Sequence, residues 1–348
     1  MTVDPVLDHA LSAYINSLAK PARAGEIRIL KAGHSPNGQL TRLIAQVDIW
    51  QNGDRHRLVA KYLRETKSAK LERELLQIAA KANPQNSIVS VVPILFSSNN
   101  VMLMPLIPGE DLQTIVSQNR RLGYLRSPKT RDRLESCLFA LGVWLAAFHA
   151  TEESLEVQEQ RDAAEAIAKQ LEQRLVDHLE NHVGFHLPSA LETKVKAVIP
   201  QFRNVATLRS TFGMVHGDFC PENIMCLSAS QQSFVLDFEH GGQDFQISDV
   251  SRFCAKLQLN GLHIGASWRL LNNLEAQFLK GYRVGKQFDE GTLKLYRFVD
   301  ILRVRRPLLL DKKASRFRKS IILSRRKKYK RLVRRELSDL HHWIANQR

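Results

Sequence analysis

No apolar run in this 348-residue chain approaches the ~20 residues that a membrane-crossing helix needs. The longest candidate, Ala140 to Ala150, already contains His149 near its end. The opening residues, Met1-Thr2-Val3-Asp4-Pro5, lack the basic-then-apolar pattern of a secretory signal. Cysteine is scarce, with Cys137, Cys220, Cys226 and Cys254 forming no C-x-x-C pair. A reduced, cytoplasmic protein is therefore expected rather than a disulfide-stapled one. No internal repeat is visible, so a stacked-repeat architecture is excluded. Acids are nearly missing from one region: between Ile301 and Arg335 sixteen Lys or Arg face the single acid Asp311.

What is present fits a folded globular protein. Hydrophobic residues make up 44% of the chain and charged residues 25%. The length suits one large domain or two lobes. The net charge of +16 is almost all in that basic window, which carries +15 by itself. The rest of the chain is close to neutral.

Periodicity orders the chain. A helix is expected over Pro5 to Ala19, ended by Pro21. Strands are expected over Glu26–Lys31, Leu40–Trp50 and His56–Leu63, with Asn52-Gly53 as a hairpin turn between the last two. Helix follows over Ser68 to Lys81, then strands over Ile88–Phe96 and Val101–Met104. Pro105 and Pro108 stop the sheet, and helical patterns dominate afterwards. This divides the chain into residues 1–105, an N-terminal lobe, and residues 106–348, a helical C-terminal lobe. Arg131 to Thr151 reads as a buried helix, and 152–181 as an acid-rich helix with Ile167, Leu171, Leu175 and Leu179 as its apolar stripe. His178, His182 and His186 fall four apart, a metal-ligand spacing. Gly184 interrupts the helix, and no Cys or acid completes the set, so no metal is expected there. The last helix, Lys312 to Trp343, is basic and amphipathic, with Tyr329, Val333, Leu337 and Leu340 on its apolar side.

The chemistry concentrates in Met214-Val215-His216-Gly217-Asp218-Phe219-Cys220-Pro221-Glu222-Asn223-Ile224 and in Phe234-Val235-Leu236-Asp237-Phe238-Glu239. Two carboxylates and a carboxamide sit at fixed spacing on two apolar segments. The order resembles the kinase catalytic loop, H-R-D-x-x-x-x-N, followed by the D-F-G aspartate. Gly217 stands at the Arg position and Glu239 at the D-F-G glycine. With those departures the chain resembles the aminoglycoside phosphotransferase and choline kinase superfamily, whose members resemble protein kinases but phosphorylate small molecules.

That resemblance implies an α+β, bilobal protein kinase-like fold and an ATP- or GTP-dependent phosphotransferase requiring Mg2+. It implies Asp218 as the base that takes the acceptor's hydroxyl proton, with Asn223 and Asp237 as metal ligands. Lys61, in Leu58-Val59-Ala60-Lys61-Tyr62, resembles the lysine that holds the α- and β-phosphates. Its partner is Glu72 or Glu74, and Glu74 fits the family pattern better. Gly33, Ser35, Asn37 and Gly38 lie in a loop that would cover the phosphates through backbone N–H groups, and Met104 adjoins a hinge that would contact adenine. Asp249 matches a structural aspartate tying its helix to the catalytic loop, and His149 reads as a hydrogen-bonded packing residue. Cys220 is expected to be a spectator beside the base, its thiol open to alkylation.

The acceptor is expected to be a hydroxyl-bearing small molecule or sugar. Cationic acceptors call for acidic or aromatic-lined sites, whereas the C-terminal region is basic. An anionic acceptor, or a glycolipid at a membrane, fits that charge. Alternatively residues 312–335 bind an anionic membrane surface or another polyanion, with Tyr329, Val333 and Leu337 inserting beside the charges and the protein peripheral at the inner membrane face. No specific nucleic-acid motif is present. The rival readings are a non-catalytic, ATP-binding kinase-like scaffold, and a nucleic-acid or membrane binder acting through the basic helix alone.

Overall fold

The computed structural model describes residues 5–34, 40–82, 87–98, 100–121, 128–151, 160–180, 187–202, 210–227, 232–264, 268–303 and 316–346. The chain opens with α1 (Pro5–Ser17), followed by β1 (Ala22–His34), β2 (Leu40–Gln51) and β3 (Asp54–Leu63). Helix α2 (Thr66–Lys81) precedes β4 (Val89–Val91), β5 (Phe96–Ser98) and β6 (Val101–Pro105). Strands β1, β2, β3, β6 and β5 form, in that order, one antiparallel sheet. Leu7, Ala10 and Leu11 of α1 pack on its alternating apolar face, formed by Ala45, Val47, Ile49, Leu58, Ala60 and Leu103. The Asn-Gly pair turns the hairpin as expected: Asn52 and Gly53 have φ of 54° and 87°, the two positive angles of a type I′ turn. The single strand expected over Ile88–Phe96 is instead two, β4 and β5. Pro93 lies between them and supplies no N–H to continue a ladder.

After residue 105 come β7 (Glu110–Asp111) and helices α3 (Leu112–Arg121), α4 (Pro128–His149), α5 (Gln160–Glu180) and α6 (Ser189–Phe202). Strand β8 (Phe212–Val215) leads to a 3-10 turn at Pro221–Asn223, then β9 (Ile224–Cys226), β10 (Ser233–Val235) and β11 (Gly242–Phe245). Helices α7 (Ile247–Ile264), α8 (Trp268–Gly285), α9 (Glu290–Arg303) and α10 (Arg316–Ala345) complete the fold. A second sheet, β4-β10-β9-β7, stitches β4 in parallel to β10. The first candidate loop runs from β8 into β9, and the second leaves β10, the strand paired with β9. Behind them Phe219, fully buried, stacks on Trp144 at 6.0 Å and meets Phe253 at 5.4 Å, while Phe253 contacts Phe278 at 4.2 Å. Each such burial contributes about 1.5–3 kcal/mol, so the loop rests on a stiff aromatic floor.

Helix α10 differs from expectation in what its apolar stripe meets. Tyr329, Val333, Leu337 and Leu340 are buried in the main core, and the Tyr329 hydroxyl donates to the Ile301 carbonyl. Arg297 of α9 bonds Glu336 of α10 at 2.7 Å and also pairs with Glu275 of α8. The stripe therefore docks the helix and has no side chains left to insert into a bilayer. Helical spacing alone could not distinguish a core-facing stripe from a membrane-facing one. Among the described residues, no helix is long and apolar enough to cross a membrane.

Candidate functional site

A cleft of about 320 Å³ opens between the large sheet and the second sheet. Ile44, Val59, Leu76 and Val92 line its apolar wall, Met104 to Ile107 its rim, and Lys61, Glu72, Asn223 and Asp237 its polar end. Met104 lies on that rim. Gly33 sits in β1 opposite Arg42, whereas Ser35, Asn37 and Gly38 lie outside the described residues, as do His182 and His186.

At the polar end Lys61, on β3 and almost fully buried, places Nζ 2.7 Å from Glu72 Oε1, 2.5 Å from Asp237 Oδ1 and 3.4 Å from Glu239 Oε2. Burial alone would lower the lysine pKa, but the charges of Glu72 and Asp237 outweigh it and hold it above the ordinary value. For Glu72 burial wins over the attraction of Lys61 and the pKa is raised. The partner expected at Glu74 is therefore corrected to Glu72. Glu72 shares the inner face of α2 with Ala69, Leu75, Leu76 and Ala79, while Glu74 is exposed and pairs with Lys70 at 3.8 Å.

Arg42 joins the cluster from β2. It bonds Glu239 at 2.6 Å and stands 3.9 Å from Asp237. Nothing in the sequence marks it, because its role depends on β2 bringing it beside a residue 197 positions later. Asp237 sits at φ 67°, unusual for a residue other than glycine. Burial would raise its pKa, but Lys61 and then Arg42 outweigh that and hold it low, so the carboxylate is charged.

The catalytic-loop motif is held from behind by Asp249, the first acid of α7. Its Oδ2 accepts the His216 N–H at 2.6 Å and its Oδ1 the Gly217 N–H at 2.9 Å. His149 places Nε2 3.2 Å from the same carboxylate and Nδ1 2.9 Å from the Tyr282 hydroxyl. Both expectations, a structural Asp249 and a packing His149, describe these contacts. Gly217 has φ 79°, and a Cβ there would stand 1.9 Å from the His240 carbonyl oxygen; an arginine cannot occupy the position.

That bend presents Asp218, whose side chain is 30% exposed. Arg252 donates to Asp218 Oδ1 at 3.0 Å and to the Gly217 carbonyl at 2.6 Å. The Asn223 amide nitrogen bonds the Asp218 carbonyl at 2.9 Å and Oδ2 at 3.2 Å. With its nitrogen committed to the loop, Asn223 keeps its carbonyl oxygen for another partner in the cleft. Cys220 is 2% exposed, and burial, then the charges of Glu222 and Asp218, push its thiol far up. The expected alkylation sensitivity is corrected: a buried, protonated thiol is a poor nucleophile.

The oxygens of Asn223 and Asp237 suit a hard divalent cation such as Mg2+, which binds one or two carboxylates and completes its shell with phosphates and water. Among the described residues no three acid, His or Cys side chains are arranged to hold a metal by themselves. A metal held jointly with a nucleotide fits that donor set.

Burial lowers the pKa of His149 and of His216 below 6.5. Each is thus neutral in the fold and takes up a proton more easily unfolded. Their contribution is complete above pH 6.5 and declines as pH falls toward their folded values, by at most about 1.4 kcal/mol per pH unit for each. Urea midpoints should therefore fall between pH 7 and pH 5. A midpoint constant over that range would contradict two buried neutral histidines.

Residues 46–296 match the profile of the phosphotransferase enzyme family. A sequence search of curated proteins finds no match. Among solved structures, a glucosamine kinase in complex with glucosamine, ADP and inorganic phosphate is 16% identical with a TM-score of 0.60, covering 95% of this chain and 87% of its own. Amicoumacin kinase hAmiN, in complex with AMP-PNP, Ca2+ and Ami, is 13% identical with a TM-score of 0.52, covering 94% and 93%. A choline/ethanolamine kinase family protein from Mesorhizobium loti is 17% identical with a TM-score of 0.50, covering 96% and 99%. At such identities the likeness establishes a shared kinase-like fold: α+β, with an N-terminal antiparallel sheet and a helical C-terminal region.

Proposed function

Because this chain belongs to the phosphotransferase enzyme family, we propose that it moves the γ-phosphoryl group of ATP or GTP to a hydroxyl of a small molecule or sugar. The observation that carries this is the convergence of Lys61, Asn223 and Asp237 on one cleft, with Asp218 presented by the same loop as Asn223. On this reading residues 1–105 form the nucleotide-binding lobe and residues 106–348 bring the base and the acceptor. Asn223 and Asp237 would hold Mg2+, with Glu239 nearby, and the metal when bound would neutralise charge on the triphosphate.

Lys61, fixed by Glu72, binds the α- and β-phosphates, and Arg42 lines the same cleft. Asp218 orients the acceptor hydroxyl along the line of attack. The acceptor oxygen forms its bond to the γ-phosphorus as the bridging bond to the β-phosphate oxygen breaks. The hydroxyl proton passes to Asp218 late in the transfer, and the nucleoside diphosphate departs.

Thermal unfolding with and without Mg·ATP tests the nucleotide half. At a hundredfold excess over Kd, binding should add about 2.7 kcal/mol. An unchanged Tm at millimolar Mg·ATP and Mg·GTP would remove the basis of the reading. A shift in Tm with no phosphotransfer to any acceptor would return the protein to a nucleotide-binding scaffold.

A further inference from the structure

The basic composition near the C-terminus begins, in space, beside the proposed base. Ser251 of α7 donates to Asp300 of α9 at 2.5 Å, fixing the first turns of α7 against the last turn of α9. Arg252, the next residue of α7, reaches Asp218. Arg303, one turn after Asp300, closes α9 on the same side, near enough to Asp218 and Arg252 to feel the charge of both. The two arginines differ in their partners. Arg252 is bonded to Asp218 and the Gly217 carbonyl, whereas Arg303 has no ion pair or hydrogen bond among the described residues and keeps exposed surface.

Three guanidinium groups share this corner, and Arg174 is the third. It is taken by Asp244 at 2.8 Å. Of the acids, Asp218 is taken by Arg252, and burial raises the pKa of Asp300 despite the nearby arginines. Burial, followed by the repulsion of Arg252, lowers the pKa of Arg303. Among the described residues no acid is bonded to Arg303, although Asp300 and Asp218 are near enough to attract it. Asp218, beside which an acceptor hydroxyl has to lie, is within reach of the charge of Arg303.

We propose that the acceptor carries an anionic group, a phosphate or a carboxylate, that binds Arg303 while its hydroxyl meets Asp218, with Arg252 screening the anion from the base. Guanidinium suits both oxyanions because its planar fork donates two parallel N–H bonds. An ammonium-bearing acceptor placed there would meet Arg303 with its own charge. The inference rests on the phosphotransferase reading and narrows its acceptor to anionic hydroxy compounds.

The test is release of ADP from Mg·ATP with four probes: glucose 6-phosphate, gluconate, glucosamine and choline. At least one of the two anions should turn over, with a kcat/KM at least about tenfold above either cation, and the better of the two identifies phosphate or carboxylate. For that anion, Arg303→Ala should raise KM by about ten- to a hundredfold, as expected for losing a hydrogen bond to a charged group. Arg303→Lys should recover part of the loss, and Mg·ATP-induced stabilisation serves as the folding control for both variants. Preference for a cation, turnover of neither anion, or an unchanged KM in Arg303→Ala would each overturn the proposal while leaving the phosphotransferase reading standing. Absence of any Mg·ATP stabilisation in the parent protein would instead remove that reading, and the inference with it.

Discussion

Asp218→Asn should lower phosphotransfer by at least ~10²-fold, the smaller end of what a general base contributes, while Mg·ATP binding stays nearly unchanged. The substitution keeps shape and removes basicity. Asp218 now accepts from Arg252 on one oxygen and from Asn223 on the other. An asparagine has a single oxygen, and the ion-paired arginine holds it. The new amide nitrogen then faces the Asn223 nitrogen, donor against donor, so that bond is lost. Asn223 nevertheless keeps its bond to the residue-218 carbonyl, and with it the proposed position at the metal. The chemical step should therefore fall while nucleotide affinity does not. Asp237→Ala should do the reverse first, because it removes the proposed metal ligand and a partner of Lys61. Titration calorimetry with Mg·ATP beside single-turnover rates separates the two. Full transfer activity in Asp218→Asn would show that another group takes the proton.

The catalytic motif was readable because its spacing is enforced locally. Asp218 and Asn223 are five residues apart on one loop, and the run that ends at Asp237 is one hydrogen-bonded strand away. Choosing between Glu72 and Glu74 required knowing which face of α2 turns inward, and two glutamates two residues apart on an amphipathic helix leave that open. Arg42, Arg252 and Arg303 were invisible for a different reason. An arginine among fifty-one basic residues acquires meaning only when the fold sets it beside Glu239 or Asp218. The stripe on α10 misled because burial in a core and insertion in a membrane ask for the same periodicity. Only the tertiary partners, Ile301 and Arg297 on α9, decide between them.

Lys61→Met should destabilise the protein by about 3–5 kcal/mol, the usual result of removing one partner of a buried ion pair. Lys61 and Glu72 are 4% and 2% exposed, so neither is compensated by solvent. Glu72 Oε2 already has no hydrogen-bond partner, and without the lysine Oε1 loses its bond as well. Burial already raises the Glu72 pKa against the pull of Lys61, so the variant should raise it further and Glu72 should bind a proton. An acid with a raised folded pKa loses stability as pH climbs from its unfolded value through its folded one. The cost of Lys61→Met should accordingly be smaller at pH 5 than at pH 8. Adding Glu72→Leu should recover most of the loss, since a packed apolar pair replaces a buried ionic one with little penalty. The double variant should then fold with near-parent stability and, lacking the lysine proposed to hold the phosphates, bind Mg·ATP weakly. Urea denaturation of both variants at the two pH values decides it. If Lys61→Met costs the same at pH 5 as at pH 8, and Glu72→Leu restores nothing, the pair is not the buried, mutually dependent unit that its 2.7 Å contact describes.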